Sequence, residues 1–206
     1  MQRSFTIGRF RRRRDHIVRS ASRLAATFTA ALILGSVATP RVVAQAAKPT
    51  EYDVKAAYLI NFGKFVHDSE EQESRPSFDI CILGRDAFGQ SLNALASNET
   101  IDHLPVRVLH PDVTEAKSCG IVFISSLEGE NIREDLVLLG NADVLTVSDA
   151  SDFLERGGMI QFLLVQNHVR FAVNLDAVNR AHLVLSSELL RVAFYVTGKP
   201  PIGGKP

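Results

Sequence analysis

The residues able to do chemistry are few, and their spacing decides what they can do. Cys81 and Cys119 stand 38 positions apart, so they form no CxxC redox centre. Two cysteines are also too few for a zinc site built on four. The histidines after the N-terminal segment are His67, His103, His110, His168 and His182. None has another at i+2, i+3 or i+4, so no local metal clamp is visible and no metal is expected. Asp149 and Asp152 can form a carboxylate pair, but acids three apart at a helix start suit the helix dipole better. Gly84-Arg85-Asp86-Ala87-Phe88-Gly89 has the glycine spacing of a phosphate loop. Gln90-Ser91 follows it, so the lysine that neutralises phosphate is missing and the segment reads as a strand-to-helix turn. Ser125, Ser126, Ser148, Ser186 and Ser187 are helix-cap candidates before they are nucleophiles. HExxH, GxSxG, GxGxxG and Walker sequences do not occur. The motifs therefore argue for neither an enzyme nor a cofactor.

Charge divides the chain. Its 206 residues hold 23 Lys+Arg and 23 Asp+Glu. Residues 1–44 contain nine Arg and one acid, Asp15, which leaves 14 basic and 22 acidic residues, a net of −8, in the remainder. An acidic body repels nucleic acid, so no nucleic-acid partner is expected. The basic segment ends at Arg23 and an apolar stretch follows, Leu24 to Ala38. Small residues then allow cleavage after Ala44 or Ala46, the pattern of a secretory signal peptide. An uncleaved anchor is the alternative. No Cys lies near the cleavage positions, so lipoprotein processing is not expected. The mature chain is expected in the periplasm. In an oxidising compartment Cys81 and Cys119 either close into a disulfide or remain two buried thiols.

Periodicity supplies the elements that must position these residues. Tyr52 to Val66 has helical spacing through Ala56, Leu59 and Phe62. Strands are expected over Phe78–Leu83, Val106–Leu109, Gly120–Ile124 and Asp143–Val147, with helices over Asp86–Ala96 and from Ser125 to about Leu139, stopped by Gly140. A short helix capped by Ser148-Asp149 ends at Gly157-Gly158. Met159–Val165 and Val169–Asn174 are separated by a hairpin-length gap and should be antiparallel. Asp176–Ala181 is a helical turn, and Ser186–Val196 reads as a final amphipathic helix. The fold class is α/β, a mixed, mainly parallel sheet with helices on both faces (a three-layer sandwich) and a C-terminal antiparallel hairpin. The domains are a signal peptide over 1–44, an α/β domain over 51–196 and a loose tail over 197–206.

Six segments in order carry a more specific likeness: KAAYLINFGKFV (Lys55 to Val66), FDICILGRDAFG (Phe78 to Gly89), CGIVFIS (Cys119 to Ser125), VLTVSD (Val144 to Asp149), GGMIQF (Gly157 to Phe162) and VRFAVNLDAVNRAHLVLSSELLRVA (Val169 to Ala193). Together, over about Val54 to Ala193, the chain resembles the YfiR family. The resemblance implies a periplasmic, dimerising α/β repressor. Such a repressor restrains an inner-membrane diguanylate cyclase of YfiN type and can be sequestered by an outer-membrane lipoprotein of YfiB type, which limits cyclic-di-GMP signalling and biofilm formation. It also implies that Cys81 and Cys119 are a disulfide pair. A second pair found in some members is absent, and Gln161 stands at one of its positions. Ile160, Ala172 and Val178 match positions in the region linked to repression, so the resemblance implies that they bind the partner; Ile160 and Val178 also suit a core. Ala172 replaces a common glutamate, Val184 and Ser186 replace basic residues, and His67-Asp68 replaces a common Trp-Pro.

A second reading comes from a different class. A periplasmic small-molecule sensor would act with another membrane signalling or transport system, using the crevice at the strand C-termini.

Overall fold

Thr50 starts the fold by capping its first helix. The Asp53 N–H donates to the Thr50 hydroxyl at 3.2 Å and the Thr50 N–H donates to the Asp53 carboxylate at 2.7 Å, a reciprocal capping box. Helix α1, Glu51–Phe65, then buries Ala56, Leu59, Ile60 and Phe62 along one face. The computed structural model describes residues 48–67, 75–128 and 131–199, all within one compact unit, Ala46–Pro206. The expected leader, both cleavage positions, most of the acidic stretch after His67 and the end of the expected tail lie outside the described residues.

After α1 come β1 (Val66–His67), β2 (Phe78–Leu83), α2 (Gln90–Ala96), β3 (Thr100–Ile101), β4 (Leu104–Leu109) and β5 (Ile121–Ile124). Then follow α3 (Ile132–Leu139), β6 (Leu145–Ser148), β7 (Ile160–Val165), β8 (His168–Asn174), α4 (Leu175–Arg180), β9 (Val184–Leu185), α5 (Ser187–Val192) and β10 (Tyr195–Thr197). The main sheet has the order β10-β8-β7-β6-β5-β2-β4-β3. Its pairs are parallel except β7 with β8 and β3 with β4. This is the mixed, mainly parallel sheet the sequence pattern predicts. The hairpin turn is two residues, Gln166 and Asn167, with φ of 48° and 61°, the left-handed pair that matches strand twist.

Both faces of the sheet are covered. On one, α1, α2, α4 and α5 pack over Ile80, Ile121, Leu145, Ile160 and Phe171. On the other, α3 and Phe153 pack over Cys81, Leu83, Val122 and Ile124. β5 is buried at all four residues, as suits a central parallel strand. Gly120 admits the Phe78 ring: a Cβ there would lie 2.5 Å from it.

Three segments depart from the sequence pattern. The stretch after Ser125 is a 3-10 turn, Ser126–Glu128, and α3 begins only at Ile132, although Gly140, at φ 60°, ends it as expected. Residues 151–157 are successive turns rather than a capped helix. The expected final helix divides into α5, capped by the Ser186 hydroxyl, and strand β10. Ala193 is extended and the Phe194 N–H donates to the Phe171 carbonyl at 2.7 Å, which draws the chain onto β8. A run of Val, Phe and Tyr suits a pleated edge as well as a helix face. The ordered chain therefore passes the expected boundary at 196. Thr197 pairs with Asn174, and the Lys199 N–H donates to Asp176 at 3.1 Å.

Candidate functional site

An open α/β sheet normally offers a ligand crevice at the C-terminal ends of its strands, where the connections diverge to opposite faces. Here that point lies between β2, which leads to α2, and β5, which leads to α3. Side chains from α1 fill it. Lys55 Nζ lies 2.8 Å from Asp149 Oδ2 and 2.6 Å from Glu51 Oε1. The Tyr52 hydroxyl donates to the same Asp149 oxygen at 2.8 Å, and the Ser126 N–H donates to the other at 3.0 Å. Lys55 Nζ also sits 4.3 Å from the centre of the Tyr52 ring. The Tyr52 ring meets Phe88 edge-on, and Phe88 meets Phe123.

The charges in this crevice are held by one another. Burial works to raise the Asp149 pKa, but the Lys55 ammonium, the Tyr52 hydroxyl and the Ser126 N–H outweigh it and keep the carboxyl below its usual range. Burial works to lower Lys55, and the Asp149 and Glu51 carboxylates reverse it, so its pKa is raised. Burial first, then the Asp149 carboxylate, raises Tyr52. The arrangement is a tether from α1 to the ends of β5 and β6. Asp149 thus serves neither as a helix cap nor in a pair with Asp152, which instead bonds Arg156 at 2.8 Å. The signal available in the sequence was Lys55 itself, one turn before Leu59 on an apolar stripe, where a lysine needs a buried acid.

The other reactive residues have structural partners too. In the glycine turn after β2, Asp86 Oδ1 accepts from the Phe88 N–H at 2.7 Å and the Gly89 N–H at 3.2 Å, so a carboxylate occupies the amide cradle that a phosphate would need. His110 Nε2 lies 3.0 Å from Asp86. Among the described residues no His, Cys, Asp or Glu are gathered in a group that could hold a metal. Cys81 and Cys119 are disulfide-bonded with Cα atoms 6.1 Å apart, and both are buried. The bridge joins β2 to the turn that opens β5, beneath α3.

The matched positions Ile160, Ala172 and Val178 lie inside the molecule, with exposures of 0, 0 and 1 %. Ile160 and Val178 belong to the core under α1, and Ala172 faces Gln161 across the hairpin. At these exposures their side chains lie beneath the surface. What reaches the surface in this region is β10 and its approach. Val192, Phe194, Tyr195 and Val196 are 63, 55, 43 and 39 % exposed. Tyr195 pairs with Ala172 and Val196 with Val173. Four large apolar residues within five positions form a patch of the kind that marks interaction sites. Reading this segment as helix hid the patch, because the helical pattern sends half of these residues inward.

A family model described as YfiR/HmsC-like (DUF4154) matches residues 52–194. The chain belongs to the YfiR/HmsC-like family. A crystal structure of a conserved domain protein from Vibrio cholerae O1 biovar El Tor strain N16961 is similar at a TM-score of 0.49 and 10 % identity, over 72 % of this chain and 60 % of that one. No curated protein matches the chain.

In this YfiR/HmsC-like domain Gln161 occupies the position where the resemblance places a second-pair cysteine. It is 3 % exposed; its Nε2 donates to the Ser151 carbonyl at 2.8 Å and its Oε1 accepts from the Leu154 N–H at 3.3 Å. A buried amide thus fastens turns 151–157 to β7. Gln161→Ala is expected to lower stability by about 1–3 kcal/mol, the cost of leaving buried polar groups unpaired. Urea unfolding measures it, and hydrogen exchange should show the loosening confined to 151–157. At the opposite end of β6, a pocket of about 230 Å³ opens between α3 and α4, lined in part by Leu139, Val144, Met159, Arg156 and Arg180.

Proposed function

We propose that this YfiR/HmsC-like protein is a periplasmic repressor. It binds the periplasmic part of an inner-membrane diguanylate cyclase of YfiN type through the surface around β10, and so limits cyclic-di-GMP synthesis and biofilm formation. The family match over residues 52–194 carries the reading. The buried disulfide suits an oxidising compartment. The apolar patch on β10 lies over the segment that the resemblance links to repression. Repression of this kind needs no reactive group, only a surface whose affinity differs between two states of the partner. A lipoprotein of YfiB type that covered the same surface would release the cyclase. Homodimers would bring two such surfaces to one cyclase dimer.

The test is retention of the cyclase from a membrane extract of the protein's own source on the immobilised mature, oxidised chain. Phe194→Ser/Tyr195→Asp changes two exposed side chains, so the fold should survive. It is expected to cut retention by about 100-fold, the loss of two apolar anchors. Undiminished retention would move the interface elsewhere, and absence of any cyclase would remove the reading. Ile160→Asp is a poor substitute, because it buries a charge and unfolds the core.

The second reading, a small-molecule sensor, would have to use the pocket between α3 and α4, because side chains of α1 fill the crevice at the strand C-termini where that reading placed the ligand. That reading predicts ligand-dependent thermal stabilisation, lost on reversing the exposed cation at the pocket's rim with Arg180→Glu.

A further inference from the structure

We infer that the pocket between α3 and α4 binds a small monocarboxylate, a single carboxylate carried on a compact apolar body. The site rests on the residues that line it; its ligand class deepens the sensor reading, and any signalling role rests on that reading.

Three elements meet at the pocket and none of them fills it. α3 stops at Gly140 and the turn before β7 passes through Gly157, with φ of 60° and 103°. A Cβ on Gly157 would meet nothing within 4 Å. From α4 come Ala177 and Ala181, which are also small. About 230 Å³ is left over a floor of Leu139, Val144 and Met159, which are 3, 1 and 5 % exposed. Sites for drug-sized ligands run from about 300 to 1,000 Å³, so the occupant is smaller than those. Its body is apolar, because the side chains of that floor offer no hydrogen bond. The helix-end carbonyls at the pocket are used within the chain. That of Leu136 accepts from the Gly140 N–H at 3.1 Å, that of Leu139 from the Ala142 N–H at 3.2 Å, and that of Ala177 from the Ala181 N–H at 3.3 Å.

Charge fixes the head group. The chain after the leader is strongly acidic, yet no Asp or Glu lines this pocket and two arginines do. Arg156 is committed to Asp152, Nε to Oδ2 at 2.8 Å. Arg180 is exposed and in no ion pair among the described residues. Asp176, one turn before it on α4, accepts from the Lys199 N–H instead. The buried Thr146 hydroxyl, also in the lining, accepts from the Met159 N–H at 3.2 Å and donates to no acceptor among the described residues. A cation without a carboxylate and a hydroxyl without an acceptor suit one negative charge spread over two oxygens, which is a carboxylate. A second negative charge would find no further unpaired cation in the lining, which disfavours a phosphate dianion. An ammonium would find no acid, which disfavours an amino acid.

The probes are phenylacetate, uncharged phenylethanol, acetate, phenyl phosphate and free phenylalanine. The readout is the methyl resonance of Met159 in oxidised protein carrying labelled methionine methyl groups; Met1, in the leader, is the other methionine. Phenylacetate is expected to move that resonance with a Kd of about 1 mM or tighter, as befits so small a ligand, and to raise the melting temperature. Phenylethanol, phenyl phosphate and phenylalanine should bind about fivefold more weakly, and acetate more weakly still, since it leaves the apolar floor uncovered. Arg180→Gln should weaken phenylacetate by about fivefold at low salt and leave phenylethanol unchanged, while Arg180→Lys should keep most of the binding; an exposed charge contributes no more than that. The side chain is exposed, so both variants should fold, and thermal unfolding without ligand checks it. The site is overturned if phenylacetate leaves the Met159 resonance unmoved at about 10 mM, tenfold above the expected Kd. It is also overturned if phenylethanol binds as well as phenylacetate, if phenyl phosphate or phenylalanine binds more tightly, or if Arg180→Gln changes nothing. A Met159 shift that leaves retention of every membrane protein from the extract unchanged would keep the site and count against the sensor reading. Retention that changes with phenylacetate while Met159 stays unmoved would overturn the site and keep that reading.

Discussion

Lys55→Met is expected to lower the unfolding free energy by about 3–5 kcal/mol at neutral pH, the cost of leaving one partner of a buried ion pair behind. Asp149 would remain 7 % exposed, with the Tyr52 hydroxyl and the Ser126 N–H but no cation. For a single domain that is a large share of a total near 5–15 kcal/mol. The double variant Lys55→Met/Asp149→Leu should recover much of the loss, since an apolar pair of similar volume often replaces a buried ion pair at little cost. Urea unfolding of the two singles and the double gives the coupling directly.

The pH dependence of the same pair follows from the directions of its shifts. Asp149 is held below its usual range, so the stability it contributes is complete above its unfolded value of about 3.9 and is lost as pH falls through its lower folded value. Lys55 is held above its usual range, so its contribution is complete below about 10.4 and is lost as pH rises through its higher folded value. The native protein should therefore show no change from this pair between those limits. In Lys55→Met, acid protonates the orphaned carboxylate, and the deficit should narrow as pH falls from 7 toward 4. A deficit constant with pH would mean that the cost is packing and not charge.

Removing the disulfide is the second large effect. Cys81→Ala/Cys119→Ala is expected to cost about 2–4 kcal/mol, because a bridge across 38 residues restricts the unfolded chain by at most about 4 kcal/mol. Alanine keeps the site apolar, so the loss reports the bridge and not an unpaired hydroxyl. The two sulfurs lie under α3, away from solvent. Reductant should therefore open the bridge in the folded protein far more slowly than in urea. Mass spectrometry of alkylated thiols measures both rates, and equal rates would make the bridge an accessible redox element. The pair serves as a staple that holds β2 against the start of β5.

Local pattern alone determined much of this protein. The apolar spacing of Ala56, Leu59 and Phe62 specifies α1, and the unbroken run Ile121–Ile124 specifies a central strand. The two-residue gap at Gln166-Asn167 specifies the hairpin, and glycine at 140 specifies where α3 stops. Each is a short-range signal, legible because the restraint acts within one turn or one strand pair. Tertiary structure alone decided the rest. Lys55 and Asp149 are 94 residues apart and meet only because the sheet order brings the end of β6 under the first turn of α1. Whether Phe194-Tyr195-Val196 continued a helix or became an edge strand depended on β8 lying beside it with a free carbonyl at Phe171. Ile160, Ala172 and Val178 could be matched by sequence, but their depth could not be read from it. Exposure is a property of what packs on top of a residue, and here the covering elements come from the far ends of the chain.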